Sequence, residues 1–286
     1  MAKLKSIWEA TLFEGEGTVS EVLVEAVRQG VSLNTLFLRG ADLRDLTLTG
    51  AMLIDADMMR CDLSGSNLDG ANLGGALLRG ADLSSVYLRS AYLRNSDLSL
   101  TNLSQSDLSY SDFGGSNFSN ADLDFSDLTY SNLSHATLVG ASLNWATLLE
   151  SNLSEADLRR ASLIEAALLN TNLTNSDLTG ADLSGSSIGG VKAGGALLPI
   201  LTSSPYSISW SFPNLINISG TSQSVEAWDR SLETYIEEAG MSIDEKNRLR
   251  ANYLAVKAFL VSYEQVSLQD LPSSRPSRFS RMSLDA

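Results

Sequence analysis

The chain has 286 residues and a formal net charge of −14, from 34 acidic and 20 basic side chains. That balance argues against direct nucleic-acid binding, because affinity for phosphate rests on Lys and Arg. It favours a protein partner with a basic or mixed surface. The single cysteine, Cys61, excludes an internal disulfide and fits a reducing cytoplasm. No stretch approaches the roughly eighteen uncharged apolar residues of a membrane span. The apolar run after Lys3 and Lys5 is broken early by Glu9 and Glu14, so a cytoplasmic chain without a signal peptide is expected.

Residues 1–32 are predicted to form an N-terminal helical cap. Thr18 and Glu21 have the spacing of a capping box, an apolar-rich run follows, and Gly30 stops it.

From Leu33 to Ile188 a bulky apolar residue returns every five positions, as at Leu43, Leu48, Leu53, Met58 and Leu63, with Phe113 and Phe118 standing in for Leu. Two residues before most of them lies a small one, such as Ala41, Ala71, Ala121 or Ala181, and between them most often Asp or Asn. Five residues advance an α-helix by about 140°, which makes no stripe. On a flat strand an odd period sends alternate Leu residues to opposite faces. A three-residue straight segment followed by a two-residue corner fits: the small residue and the Leu point inward, and the Asp or Asn points out. Short polar side chains also suit the corners, because they hydrogen-bond nearby backbone.

With AlaAspLeu at 41–43, 81–83, 121–123 and 181–183, residues 33–190 resemble the pentapeptide repeat family. The resemblance implies a mainly β fold, a right-handed quadrilateral β-helix with four repeats to a coil, so that residues twenty apart stack. About eight coils at the ~4.8 Å strand spacing give a rod about 35–40 Å long.

Charge is uneven along the repeat. From Asn95 to Leu158 there is no Lys or Arg, while nine acidic residues accumulate, among them Asp107, Asp112 and Asp127. Tyr110 and Tyr130 are twenty residues apart, as are Phe125 and Trp145, and Leu149 and Leu169. These pairs predict short exposed ladders beside the acidic zone, and the nine residues together are the candidate partner-binding set. No catalytic, metal or cofactor site is expected: His135 is the only histidine and falls at a corner, and Cys61 falls in the small inward slot.

Residues 191–224 are predicted as an irregular C-terminal cap, followed by a helical pair over 225–266, with helices at about 225–238 and 242–266. The second places Leu249, Tyr253, Val256, Leu260 and Tyr263 in a coiled-coil-like seam, suited to packing on the first helix or on a second copy in a homodimer. Residues 267–286, with Pro272, Pro276, Arg275, Arg278 and Arg281, are predicted to be a disordered tail.

The functional expectation is a non-enzymatic scaffold or adaptor that presents an acidic and aromatic rod surface to a protein partner. The resemblance implies an alternative, since some pentapeptide repeat proteins mimic DNA in shape and charge and bind a type II topoisomerase, DNA gyrase.

Overall fold

A computed structural model describes residues 1–183, 186, 191, 208–211, 215–218, 221–243, 246, 250 and 253. The chain opens with an antiparallel hairpin, β1 (Ala2–Lys5) and β2 (Thr11–Gly15), followed by α1 (Val19–Arg28). The helix has the expected capping box, with the Thr18 hydroxyl accepting from the Glu21 N–H and Glu21 accepting from the Thr18 N–H at 2.8 Å. The hairpin corrects the purely helical cap. Its strands are short and their connection lacks an Asn-Gly type turn signal, so no periodicity marks them.

The hairpin explains how the open end of the rod is covered. The Phe37 N–H donates to the Lys5 carbonyl at 2.8 Å and the Ile7 N–H to the Thr35 carbonyl at 2.7 Å. The backbone of the first coil is thereby paired instead of left as a bare edge. Leu4, Val22, Leu23 and Ala26 add their apolar side chains to the same core.

The repeat is a solenoid. Parallel bridges join residues twenty apart, from Phe37 with Asp57 to Ser162 with Asp182, and a corner falls every five residues. The coil-to-coil bonds are regular: Leu43 donates to the Asp62 carbonyl at 2.7 Å, and Asp62 donates back to the Ala41 carbonyl at 3.0 Å. The Leu ladder from Leu33 to Leu178 is buried, and Phe113 meets Phe118 edge-on at 5.3 Å between ring centroids. Each inward Leu contributes roughly 1.5–3 kcal/mol of burial.

The small slot tolerates Ser because its buried hydroxyl finds a carbonyl: Ser66 donates to Leu43 and Ser131 to Leu128, both at 2.7 Å. The outward Asp and Asn close the corners. Their Oδ1 accepts the N–H two residues on, as from Ser64 to Asp62 and from Ser104 to Asn102, both at 3.1 Å.

Cys61 is packed in this slot, with its thiol donating to the Leu38 carbonyl at 2.6 Å, and burial pushes the thiol up to about 11. At neutral pH it stays protonated, and the thiolate is the nucleophile. A thiol-reactive disulfide reagent is therefore expected to label the folded chain far more slowly than the chain in denaturant. Equal rates would show that Cys61 is accessible.

Beyond the solenoid, β3 (Ile208–Ser211), β4 (Leu215–Ile218) and β5 (Thr221–Ser224) form an antiparallel sheet within the 191–224 segment expected to be irregular, whose other residues apart from Val191 lie outside the described ones. Ser- and Asn-containing strands of four residues carry too little alternation to be seen in sequence. Helix α2 (Val225–Glu238) has the expected bounds, and Ser224 caps it by accepting from the Ala227 N–H at 3.2 Å. It buries Trp228, Leu232 and Ile236, four residues apart.

Candidate protein-docking face

Counting by twenty assigns each residue to a side of the coil. One side is formed by residues 106–110, 126–130 and 146–150 on three successive coils, bounded by the corners at 105, 125 and 145 and at 110, 130 and 150. This arrangement brings eight of the nine candidate residues together. Phe125 and Trp145 stack along one corner, 6.3 Å apart and 3° from parallel. Tyr110 and Tyr130 stack along the other, 5.1 Å apart and 20° from parallel. Asp107 and Asp127 are bridged between those edges, and Leu149 and Leu169 continue the same side on the following coils.

All four rings are exposed, from 45% for Tyr130 to 61% for Tyr110. Their backbones lie in the left-handed region, with φ of 60° at Tyr110, Phe125 and Trp145 and 59° at Tyr130. Glycine takes this corner elsewhere, as at Gly50 and Gly70. A bulky residue there costs on the order of 1–2 kcal/mol, and since other non-glycine corners such as Arg60, Ser90 and Glu165 adopt a similar φ, the conformation belongs to the corner and not to this side alone. Glu150, next on the Tyr ladder, pulls the Tyr130 phenol upward through its charge and a hydrogen bond, which keeps that hydroxyl protonated.

The carboxylates differ in how far the chain neutralises them. Asp107 accepts from the Ser109 hydroxyl at 2.6 Å and lies 3.8 Å from Arg89. Asp127 is exposed, accepts the Thr129 N–H at 2.9 Å, and makes no ion pair among the described residues. Asp112 does not join this face. It lies on the next side, 3.2 Å from Arg94, and accepts the Asn132 amide at 2.7 Å. That amide begins a ladder, Asn132 to Asn152 to Asn172, with steps of 3.2 and 3.0 Å. Asp112 thus ends a hydrogen-bonded stack. The other acidic residues are spread around the coil, with Asp122 on the preceding side and Asp97 and Asp157 on the fourth. The arginine-free stretch is thus a belt of charge around the rod.

One feature escaped the sequence reading. Three aromatic-Leu-Arg triplets, Phe37 to Arg39, Tyr87 to Arg89 and Tyr92 to Arg94, each set an arginine near an aspartate of the following coil. Arg39 lies 2.7 Å from Asp57 and 5.9 Å from the Phe37 ring centroid. Arg89 lies 5.8 Å from the Tyr87 ring centroid and also pairs with Asp69 at 2.5 Å. The recurring triplet followed twenty residues later by Asp is the signal that could have been read.

His135 meets Glu155 at 3.2 Å on an exposed corner, and no group of three His, Cys, Asp or Glu among the described residues is placed to hold a metal. No helix among the described residues is long and apolar enough to cross a membrane. In the proposed seam, Tyr253 is buried and donates its hydroxyl to Asp229 of α2 at 2.8 Å. Leu249, Val256, Leu260 and Tyr263, and the tail 267–286, lie outside the described residues.

The family model for pentapeptide repeats matches in eight copies between residues 29 and 190. Among solved structures, a trypsin-treated form of QnrB1, a plasmid-mediated fluoroquinolone resistance protein, matches at 19% identity. That match covers 58% of this chain and 83% of that one with a TM-score of 0.55, a likeness of fold. A pentapeptide repeat protein from the Arabidopsis thaliana thylakoid lumen matches at 39% identity over 35% of this chain and 67% of its own, with a TM-score of 0.32. HetL, a pentapeptide repeat protein involved in heterocyst differentiation regulation from the cyanobacterium Nostoc, matches at 30% identity, covering 63% of this chain and 96% of its own, with a TM-score of 0.22. No curated protein matches the chain.

Proposed function

The chain belongs to the pentapeptide repeat family, and we propose that it is a non-enzymatic protein-binding rod, a right-handed quadrilateral β-helix whose docking face is the side carrying Tyr110, Tyr130, Phe125 and Trp145. The observation that carries this is the convergence of two exposed aromatic ladders, Asp107 and Asp127, and Leu149 and Leu169 on one side of the solenoid. Aligned exposed rings with a polar surround are what contact surfaces use. The N-terminal cap is continuous with the rod's core, and the C-terminal helical region forms a separate unit in this proposal, docking or dimerising.

A second reading is a DNA mimic that binds a type II topoisomerase. Its specific support is the belt of carboxylates: charge on every side suits a cleft that encloses the rod as it would a duplex. The fold shared with a fluoroquinolone resistance protein points the same way.

The test is affinity capture from native lysate beside assays with purified DNA gyrase. If one face docks, Tyr130→Ser or Trp145→Ser abolishes capture while Asp177→Asn on another side leaves it intact. Capture unaffected by either aromatic variant would sink the docking face. If the rod mimics DNA, it inhibits gyrase supercoiling or protects gyrase from a fluoroquinolone, and Asp107→Asn with Asp127→Asn removes the effect. No effect on purified gyrase in either assay would exclude that partner.

A further inference from the structure

We infer that the surface around Asp127, between the Tyr110–Tyr130 and Phe125–Trp145 ladders, is a socket for an arginine side chain presented by the protein partner; this rests on the docking face proposed above. The chain itself supplies the precedent. At Arg39, Arg89 and Arg94 the rod sets its own guanidinium two residues after an aromatic ring and beside a carboxylate of the next coil, at 2.7, 3.8 and 3.2 Å. In two of the three the guanidinium lies within 6 Å of the ring centroid, at 5.9 and 5.8 Å. Aromatic ring plus coil-edge carboxylate is thus a combination that this scaffold already fills with arginine.

After Arg94 the internal arginines stop until Arg159. At Asp127 the layout differs: the residue one coil earlier is Asp107, whereas Phe37, Tyr87 and Tyr92 precede Asp57, Asp107 and Asp112, and the exposed rings lie at the flanking corners instead. Asp127 is exposed and has no basic partner among the described residues, and exposed rings edge it at both corners. The neighbouring carboxylates of Asp107 and Glu150 extend the negative field along the same side, Asp107 offset in part by Arg89 at 3.8 Å, and Asn95 to Leu158 adds no lysine or arginine of its own. Charge complementarity therefore selects a cation. Flat rings select arginine over lysine, because a planar guanidinium stacks on an aromatic face while donating in plane to a carboxylate. Leu149 and Leu169, on the following coils of the same side, then meet an apolar residue of the same partner segment.

The experiment measures binding of fluorescein-labelled hexa-arginine and hexa-lysine peptides to the full chain at physiological salt. Hexa-arginine is expected to bind at least roughly tenfold more tightly than hexa-lysine. That preference should disappear in Asp127→Asn and in Trp145→Ser and survive in Asp177→Asn. Equal affinities for the two peptides, or a preference that survives both Asp127→Asn and Trp145→Ser, would overturn the socket and leave only diffuse attraction to an acidic rod. If lysate capture still fails in Trp145→Ser while the peptides bind equally, the socket is wrong and the docking face stands; if capture is intact in every variant of this side, the docking face itself fails. Tighter hexa-arginine binding to a full-length Arg275→Gln, Arg278→Gln, Arg281→Gln variant would place the chain's own arginines in the socket and overturn the assignment to a partner.

Discussion

Leu123→Asp is expected to break the rod at its middle. Leu123 is fully buried, its N–H donates to the Ser142 carbonyl at 2.7 Å, and its own carbonyl accepts the Ser126 hydroxyl at 2.7 Å. Loss of the Leu side chain alone costs about 2–5 kcal/mol. A carboxyl in its place has no designed partner, which adds roughly another 1–3 kcal/mol even when it takes up a proton. The sum is comparable to the whole stability of many domains. Because each coil leans only on its neighbours, the damage should be local before it is global. Limited proteolysis is expected to cut first near residues 121–140, and denaturant titration should show a strongly lowered midpoint. Leu123→Met, which keeps the volume, should cost less than about 1.5 kcal/mol. An aspartate variant that unfolds at the midpoint of the parent would mean that the Leu ladder is not what holds the coils together.

The second large effect concerns Trp145. Trp145→Gly is expected to weaken partner binding by roughly thirtyfold or more, the size of an aromatic hot spot of about 2 kcal/mol. The same change should leave the fold within about 1 kcal/mol of the parent. Glycine relieves the left-handed corner, where φ is 60°, by on the order of 1–2 kcal/mol. Loss of the stack on Phe125 returns about 0.5–1.5 kcal/mol in the opposite direction. Calorimetry on the free chain and titration of the captured partner separate the two terms. A large fall in melting temperature with unchanged affinity would make the rings a clamp between coils and not a contact surface.

These expectations could be framed because the five-residue phrase is nearly independent of tertiary context. The inward Leu, the small slot and the outward Asp or Asn are all set within one straight segment and its corner, so burial and stacking at twenty residues were readable. The same count stacks Asp107 on Asp127 and each ring on its partner, while the sharing of one side by all of them is seen in the structure. Asp112 falls on the next side because the five residues that separate it from Asp107 turn one corner. The hairpin β1–β2 and the sheet β3–β5 stayed hidden because strands of four or five residues, partly polar, leave no period to detect. The arginine clamps carry no linear charge signal, because each arginine meets a carboxylate of the next coil and, at Arg39 and Arg89, a ring two residues before it.

The twenty-residue count gives the surface a phase that the core ignores. Removing one five-residue repeat, for example 131–135, would leave each remaining Leu in an inward slot, yet every later residue would shift back by a quarter turn. Trp145 would leave the corner it shares with Phe125, and Leu149 and Leu169 would rotate away from Tyr130, with the interior chemistry unchanged. Lineages that gain or lose single repeats can therefore redraw the outside of such a rod without being punished by its stability, whereas changes in multiples of four repeats only slide the pattern along the axis. Two rods with the same core and a one-repeat difference in length would be strangers to each other's partners.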